Sequence, residues 1–159
     1  MGRQLIKLPL SFHGSDYLLL TSHLESMKDY SAERKHQLRA AFDAMLKARG
    51  EGKSCIFGGD LNVREAEVKS VKVPDGVFDA WEACGSDMES KFTWDLKTND
   101  NLNWPYPSRP QARYDRVYCT SPTGGTLRPT HFELVGQDRL HDCGRFPSDH
   151  WGMWVEFDT

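Results

Sequence analysis

Hydrophobic and polar residues alternate at the start of the chain in a way that predicts two strands. Every second residue from 8 to 12 is apolar, so residues 5–12 would present one apolar face if extended, and Pro9 confines this segment to an edge or bulged strand. Residues 13–16 have the composition of a hairpin turn, and residues 17–21 then predict a buried strand.

A longer segment, residues 31–49, has apolar residues at helical spacing. Ser31 is a candidate N-cap, and Gly50 supplies the end of this predicted helix. A short apolar run over residues 55–59 follows and predicts an interior strand that ends at Asp60. The apolar stripe of the helix consists of Leu38, Ala41, Phe42, Met45 and Leu46.

The remainder of the chain combines short strands with long loops. Residues 98–110 are rich in Asn and Pro and predict a loop, whereas residues 113–119 alternate as a strand does. Further strands are predicted at 131–135 and 151–157. This order of elements indicates an α/β fold of the α+β type, and the length of 159 residues is that of one domain.

The amino-acid composition limits the kinds of partner that the protein can bind. The net charge is −3 and the pI is about 6.1, so the chain lacks the global positive field of a non-specific nucleic-acid binder. Any phosphate site must therefore be a local arrangement of side chains.

The cysteines and the apolar segments predict the cellular compartment of the protein. Four cysteines without a C-x-x-C pair indicate reduced thiols, and the first residues lack the apolar stretch of a signal peptide. The longest apolar run, residues 18–20, is too short to span a membrane. These features predict an intracellular protein of nucleus and cytoplasm that does not associate with membranes.

The segment 58–62 is the first candidate for chemistry, since two glycines precede Asp60 and Asn62. If the strand continues through Asn62, its period of two places both side chains on one face. An ionised Asp can deprotonate a water, and an Asn can donate to a phosphate oxygen. The alternative is an ordinary turn at a strand end, because Gly, Asp and Asn favour turns.

Ser148, Asp149 and His150, just before the last predicted strand, form a second candidate. Asp115 lies within a predicted strand, where a buried carboxylate needs a partner. By holding the imidazole of His150, Asp115 would favour its charged form. The alternative is a salt bridge from Asp115 to a neighbouring arginine, Arg113 or Arg116.

Residues 21–26 form a third candidate, since a buried strand again ends in polar residues. His23 and Ser26 have side chains that can bind phosphate. The alternative is the capped entry of a helix.

These pieces, in this order, resemble the exonuclease–endonuclease–phosphatase superfamily, and most closely its tyrosyl-DNA phosphodiesterase 2 branch. The similarity runs along nearly the whole chain and is most specific at its end. The segments that carry it are residues 21–26, 59–64, 78–82, 93–95 and 143–152.

The resemblance implies two packed mixed sheets with helices outside, and a Mg²⁺-dependent enzyme, with Mn²⁺ as the other candidate metal. The family hydrolyses the bond between a topoisomerase II tyrosine and a DNA 5′ phosphate in DNA repair, and some members act on protein-linked RNA. Asp60 matches the catalytic aspartate, Asn62 and His150 match groups on the scissile phosphate, and Asp115 matches the partner of that histidine.

Further positions match the regions that hold the substrate. Arg64, with His23 and Ser26, matches the region around the 5′ end of the strand, and Trp94 matches an aromatic beside it; an ordinary core tryptophan is the alternative at Trp94. Ser148 is assigned to substrate binding with them. For the metal, the chain offers Asp60 and, more weakly, Asp149.

Two family motifs have no counterpart in the sequence: a Thr-Trp-Asn strand, and a Leu-Gln-Glu segment whose Glu is the main Mg²⁺ ligand. We therefore expect residues 1–159 to be the C-terminal portion of a catalytic domain, incomplete at its N-terminal side. Apolar surface should be exposed and activity alone weak or absent. The alternatives are another phosphodiesterase of the superfamily, such as an abasic-site endonuclease, or a non-catalytic fragment that binds DNA ends.

Overall fold

The computed structural model describes residues 2–159; Met1, the first residue of the predicted domain, lies outside them. The structure is mixed α/β, as the sequence predicts. Its helices are α1 (Ser31–Gly50), α2 (Glu65–Val71) and α3 (Ala80–Ala83). Its strands are β1 (Ile6–Phe12), β2 (Ser15–Thr21), β3 (Ser54–Asp60), β4 (Phe78–Asp79), β5 (Trp94–Asp95), β6 (Gln111–Ala112), β7 (Asp115–Thr120), β8 (Arg128–Val135) and β9 (Gly152–Asp158).

A five-stranded sheet in the order β1-β2-β3-β7-β4 forms the centre of the structure. β1 and β2 are the predicted hairpin, and its turn residues His13 and Gly14 both have positive φ, as a type I′ turn requires. β2 and β3 are parallel, so α1 serves as the crossover between them. Two small antiparallel sheets, β5-β6 and β8-β9, complete the strands.

Helix α1 covers one face of the central sheet. Its residues Leu38, Phe42 and Met45 are almost wholly buried and pack with Phe57 and Tyr118 in the main apolar core. The predicted N-cap is wrong, because Lys28–Tyr30 forms a 3-10 turn that leads directly into α1, with Tyr30 at the N-cap position. The hydroxyl of Ser31 instead contributes to lowering the pKa of Glu67.

The opposite face of the sheet is only partly covered. Leu10 and Ile56 pack there with Phe157 of β9 in a smaller cluster. Ile6, Leu8 and Phe12 share the face of Leu10 through the period of two, yet each is more than half exposed. The expectation of exposed apolar surface is confirmed, and it is located at the edge strand β1.

No helix within residues 2–159 combines the length and the apolar character needed to cross a membrane.

Candidate active site

Two carboxylates and an imidazole converge at one edge of the central sheet. Asp60 ends β3 and Asp115 begins β7, and these residues are direct partners in the antiparallel register. His150 lies two residues before β9. One potential ligand atom from each of the three side chains lies within 4.8 Å of the others, so antiparallel pairing unites groups that are distant in sequence.

Asp115 holds His150 in the way the sequence predicts. The Nδ1 atom of His150 lies 2.7 Å from Oδ2 of Asp115. Burial alone would lower the pKa of His150, but the hydrogen bond to Asp115 and the charges of Asp115, Asp60 and Asp149 outweigh burial and raise it. The imidazole therefore favours its protonated form, with Nε2 available as a donor.

The alternative partners of Asp115 are engaged elsewhere. Arg113 and Arg116 both donate to the carboxylate of Asp79, over 2.8 Å and 3.1 Å, and all three side chains are buried. Arg116 also binds Glu65 at the start of α2. The salt bridge considered for Asp115 is therefore wrong, and the two arginines join β7 to α2 and to the start of α3.

The surroundings of Asp60 disfavour its charged form and raise its pKa. Burial raises its pKa most, the negative charge of Asp115 raises it further, and His150 and His23 lower it only in part. A carboxylate with a raised pKa is a stronger base toward a water molecule. The Nε2 atom of His23 lies 3.4 Å from Oδ2 of Asp60, on the exposed side of the site.

Asn62 lies in a turn rather than on the strand. β3 ends at Asp60, and Asn62 has a positive φ while its N–H donates to Oδ1 of Asp60 over 3.0 Å. The expectation that the strand extends through Asn62 is wrong, and the turn considered as the alternative is present. A side-chain carbon at position 59 would collide with the carbonyl of Ser22, which explains why the residue there is glycine.

The polar segment after β2 lies beside this turn. The N–H of Leu24 donates to the carbonyl of Asp60 over 3.0 Å, and the Nδ2 of Asn62 reaches the carbonyl of Leu24 over 3.3 Å. His23 is exposed and Ser26 half-buried. The capped helix entry is wrong, because the 3-10 turn begins only at Lys28 and no side chain caps it.

A cleft of about 280 Å³ opens next to the site, and its walls include Arg64, Lys91 and Tyr114. Arg64 is exposed and lies at the N-cap position of α2, where its guanidinium is available to an anion.

Aromatic rings extend from His150 toward the loop 98–110. The ring centroid of Tyr114 lies 6.5 Å from that of His150 and 5.5 Å from that of Trp94. Trp94 in turn makes an edge contact with Trp104 at 5.4 Å. Trp94 itself is only 8% exposed, so it packs beneath the other two rings. Trp104 and Tyr114 expose more of their surface to solvent.

The loop that carries His150 is held by asparagines. The Oγ of Ser148 accepts a hydrogen bond from the N–H of His150, and its carbonyl accepts from Asn99 and Asn101. Asp149 lies 3.9 Å from Nε2 of His150 and is partly exposed. Ser148 therefore orders the loop through both its hydroxyl and its carbonyl.

The carboxylates at the site can hold a cation, with one restriction. Asp60, Asp115 and His150 are grouped closely enough to offer ligands, but Asp115 and His150 are bonded to each other. Asp60 is the one carboxylate of this group that is not hydrogen-bonded to His150. Mg²⁺ can bind through one or two carboxylates when waters and phosphate oxygens supply its other ligands.

Sequence reasoning missed Thr93 and the buried arginine network. Thr93 is fully buried, its Oγ1 accepts from the N–H of Asp115, and its carbonyl accepts from the N–H of Trp151. It thus bonds to the backbone next to both members of the Asp115–His150 pair. The segment 93–95 carries part of the family resemblance, but only Trp94 is assigned a role there, because a single sequence does not show the backbone bonds that a buried threonine makes.

The sequence and structure of this chain are similar to those of known proteins. No protein-family model matches the chain. Tyrosyl-DNA phosphodiesterase 2 of Rattus norvegicus is 44% identical over 154 residues, which are 96% of this chain and 41% of the rat protein. The chain thus spans about two-fifths of the length of the curated relatives it matches.

Solved structures agree with these relatives. A crystal structure of Danio rerio tyrosyl-DNA phosphodiesterase 2 complexed with single-strand DNA product has a TM-score of 0.91 and 41% identity, covering 99% of this chain and 62% of that chain. An endonuclease/exonuclease/phosphatase family protein from Bacteroides thetaiotaomicron has a TM-score of 0.63 at 19% identity, covering 91% of this chain and 49% of that chain, a likeness of fold alone. The predicted fold class is confirmed.

Proposed function

The chain belongs to the tyrosyl-DNA phosphodiesterase 2 family of the exonuclease–endonuclease–phosphatase superfamily, and on this premise we propose that it carries catalytic groups of a DNA-repair phosphodiesterase. The substrate is a DNA end with tyrosine on its 5′ phosphate, as a trapped type II topoisomerase leaves. The observation that carries the proposal is the grouping of Asp60, Asp115 and His150 beside Asn62 at one sheet edge.

Asp60 acts on the attacking water. Its burial and the neighbouring charge of Asp115 raise its pKa, which makes its carboxylate a suitable acceptor for the proton of a water directed at phosphorus. The N–H of Asn62 donates to its Oδ1 atom. Its Oδ2 atom lies 3.4 Å from Nε2 of His23 on the exposed side of the site, where a water can approach it. Water then forms the new P–O bond as the bond to the tyrosine oxygen breaks.

His150 and Asn62 stabilise the charge that develops on the phosphate. Asp115 occupies Nδ1 of His150 and raises its pKa, so a protonated Nε2 can donate to a phosphate oxygen. Donors fixed in advance at a half-buried site are worth more than donors in water.

A divalent cation, Mg²⁺ or Mn²⁺, would be held by Asp60, with Asp149 as a weaker second carboxylate, and would supply neutralisation of phosphate charge. Because Asp60 is the one carboxylate of its group that is not hydrogen-bonded to His150, the site suits a weakly held ion. We therefore propose that this chain is weakly active or inactive alone and needs further ligands from the rest of the domain.

The DNA strand is held beside this centre. Arg64 and the segment from His23 to Ser26 offer charged and polar groups to the 5′ phosphate. Tyr114 and Trp104 offer rings on which unpaired bases can stack. The same groups can hold protein-linked RNA. A repair role also leads us to propose residence in the nucleus and cytoplasm.

The test uses the chain alone and the completed domain, defined as this chain joined to the preceding part of the Danio rerio relative. Each is incubated with Mg²⁺ and an oligonucleotide that carries a 5′-phosphotyrosine. We expect tyrosine release by the completed domain that Asp60→Asn abolishes. Asp43→Asn, on the exposed side of α1, is the matched control and should leave release unchanged.

A second substrate separates this function from its main rival. An abasic-site endonuclease of the same superfamily would cut a duplex with an abasic site and leave the phosphotyrosine intact. If the chain only binds DNA ends, the completed domain would bind the oligonucleotide but release no tyrosine from it. Either result, or release that does not depend on Asp60, would overturn the proposed function.

A further inference from the structure

One arginine that the proposed mechanism does not use lies between two segments that the mechanism needs. Arg34, in the first turn of α1, is 1% exposed, which is unusual for a charged residue. It therefore cannot reach a substrate, and its burial requires partners that compensate for the lost hydration.

The partners of Arg34 come from both substrate-binding segments. One of its terminal nitrogens donates to the backbone carbonyls of Glu25 and Met27, over 2.8 Å and 2.9 Å. These carbonyls belong to the segment that carries His23 and Ser26. Met27 has a φ of 65°, a backbone conformation that side chains rarely adopt, so the segment needs external support to keep it.

The other side of the guanidinium binds Glu67 in a bidentate pair, over 3.1 Å and 2.7 Å. Oε2 of Glu67 also accepts the backbone N–H of Arg64 over 2.8 Å. A single buried guanidinium thus links the carbonyls beside Ser26, through one carboxylate, to the backbone of Arg64.

We propose that Arg34 is a positioning residue that sets the spacing between residues 23–27 and Arg64, and thereby the grip on the DNA 5′ phosphate. The proposal rests on the proposed function, since it assumes that both segments hold the strand. Asp60 and His150 are fixed by β3 and by Asp115, so loss of Arg34 should weaken strand binding while leaving these two groups in place.

Binding of a 5′-phosphorylated single-stranded oligonucleotide, followed by fluorescence anisotropy, tests this without requiring turnover. Arg34→Lys keeps the charge but cannot form the bidentate pair, and should weaken binding about tenfold. The slope of log affinity against log salt should fall by about 0.7, as expected for one lost phosphate contact. Glu67→Gln should act in the same direction.

A double-mutant cycle separates positioning from stability. If Arg34 acts through Arg64, then Arg64→Ala should weaken the wild-type chain but add little in the Arg34→Lys background. Leu38→Ala is the control, because this buried residue of α1 packs in the main apolar core and should lower stability while leaving the affinity of the folded fraction unchanged. Additive losses, or an equal loss in the control, would make Arg34 merely structural and overturn the proposal.

Amide hydrogen exchange gives a reading that does not depend on DNA. Arg34→Lys should accelerate exchange at Leu24 and Glu25, whose N–H groups bond to Asp60 and Gln37, and leave the amides of β3 unchanged. Unaltered exchange at these positions would also overturn the proposal. Failure of both the wild-type chain and the completed domain to bind the oligonucleotide would instead refute the proposed function, whatever the exchange data give.

Discussion

Single residues at this site are tuned by their neighbours rather than by their own chemistry. His150 is surrounded by three carboxylates, of which only Asp115 is hydrogen-bonded to it. The same two-residue contact that orients the ring also raises its pKa. One substitution can therefore test both effects.

Asp115→Asn should lower the pKa of His150, because it removes the charge and the acceptor that oppose the cost of burial. Since the folded-state pKa is raised in the wild type, the protonated imidazole should persist to a higher pH there than in the variant. NMR titration of the His150 ring measures this directly. Asp149→Asn is the control and should give a smaller decrease, as Asp149 lies 3.9 Å away; an unchanged pKa in Asp115→Asn would contradict the pairing.

Glu67 should make stability depend on acid pH. Burial would raise its pKa, but bonds from Arg34, Ser31 and the backbone of Arg64 lower it to about 2, against about 4.3 when unfolded. A depressed folded-state pKa contributes stability above the unfolded value that is lost as pH falls toward the folded one. This contribution is fully present at neutral pH.

The measurement is urea unfolding of wild type and Glu67→Gln across a pH series. We expect the wild type to be more stable near neutrality, and the difference to shrink as pH falls from about 5 toward 2. A difference that stays constant over this range would show that Glu67 contributes through packing alone.

At the scale of elements, the sequence predicts those that carry a long periodic pattern. α1 and β3 lie where apolar spacing and the Gly-Gly-Asp ending place them, because both bury a continuous apolar face. β4, β5 and β6 are only two residues long. β4 forms by pairing with β7, and β5 and β6 pair with each other. Because two residues are too few to show a periodic pattern, the sequence does not predict these strands.

The site shows the same division. Asp60, Asp115 and His150 are chemically conspicuous, and the family motifs in which they occur are sufficient to group them from the sequence alone. The buried roles of Arg34, Thr93 and Asp79 follow from pairing across long sequence separations. Local pattern does not encode such pairing, so these residues emerge only from the three-dimensional fold.

The loop 98–110 has no regular structure, but it positions the loop that carries His150. Asn101 donates to the carbonyls of Phe146 and Ser148 and accepts from the N–H of Phe146. Asn101→Ala leaves the part-buried carbonyl and N–H of Phe146 without these partners, whereas the carbonyl of Ser148 keeps its bond from Asn99. The loss should cost about 2 kcal/mol of unfolding free energy. Exposed Asn103→Ala is the matched control for urea unfolding and should change stability little; equal costs would contradict the role of Asn101.

At the scale of the whole molecule, the two faces of the central sheet differ. α1 buries one face, while the small β8-β9 sheet covers only part of the other. Solved relatives extend well beyond the region this chain matches. In the completed domain, we expect the exposed stripe on β1 to be a surface on which the added part of the Danio rerio relative packs, since exposed apolar stripes of this kind mark contact surfaces.

One substitution should behave in opposite ways in the two forms of the protein. Leu8 is 56% exposed in this chain, so Leu8→Lys should change its unfolding free energy by less than about 0.5 kcal/mol and reduce binding of an apolar dye. In the completed domain the same lysine would be buried, and we expect a cost of about 3 kcal/mol. Lys7→Gln, one residue along and on the other face of β1, is the control. A small effect of Leu8→Lys in both forms would mean that no further strand or helix covers this face.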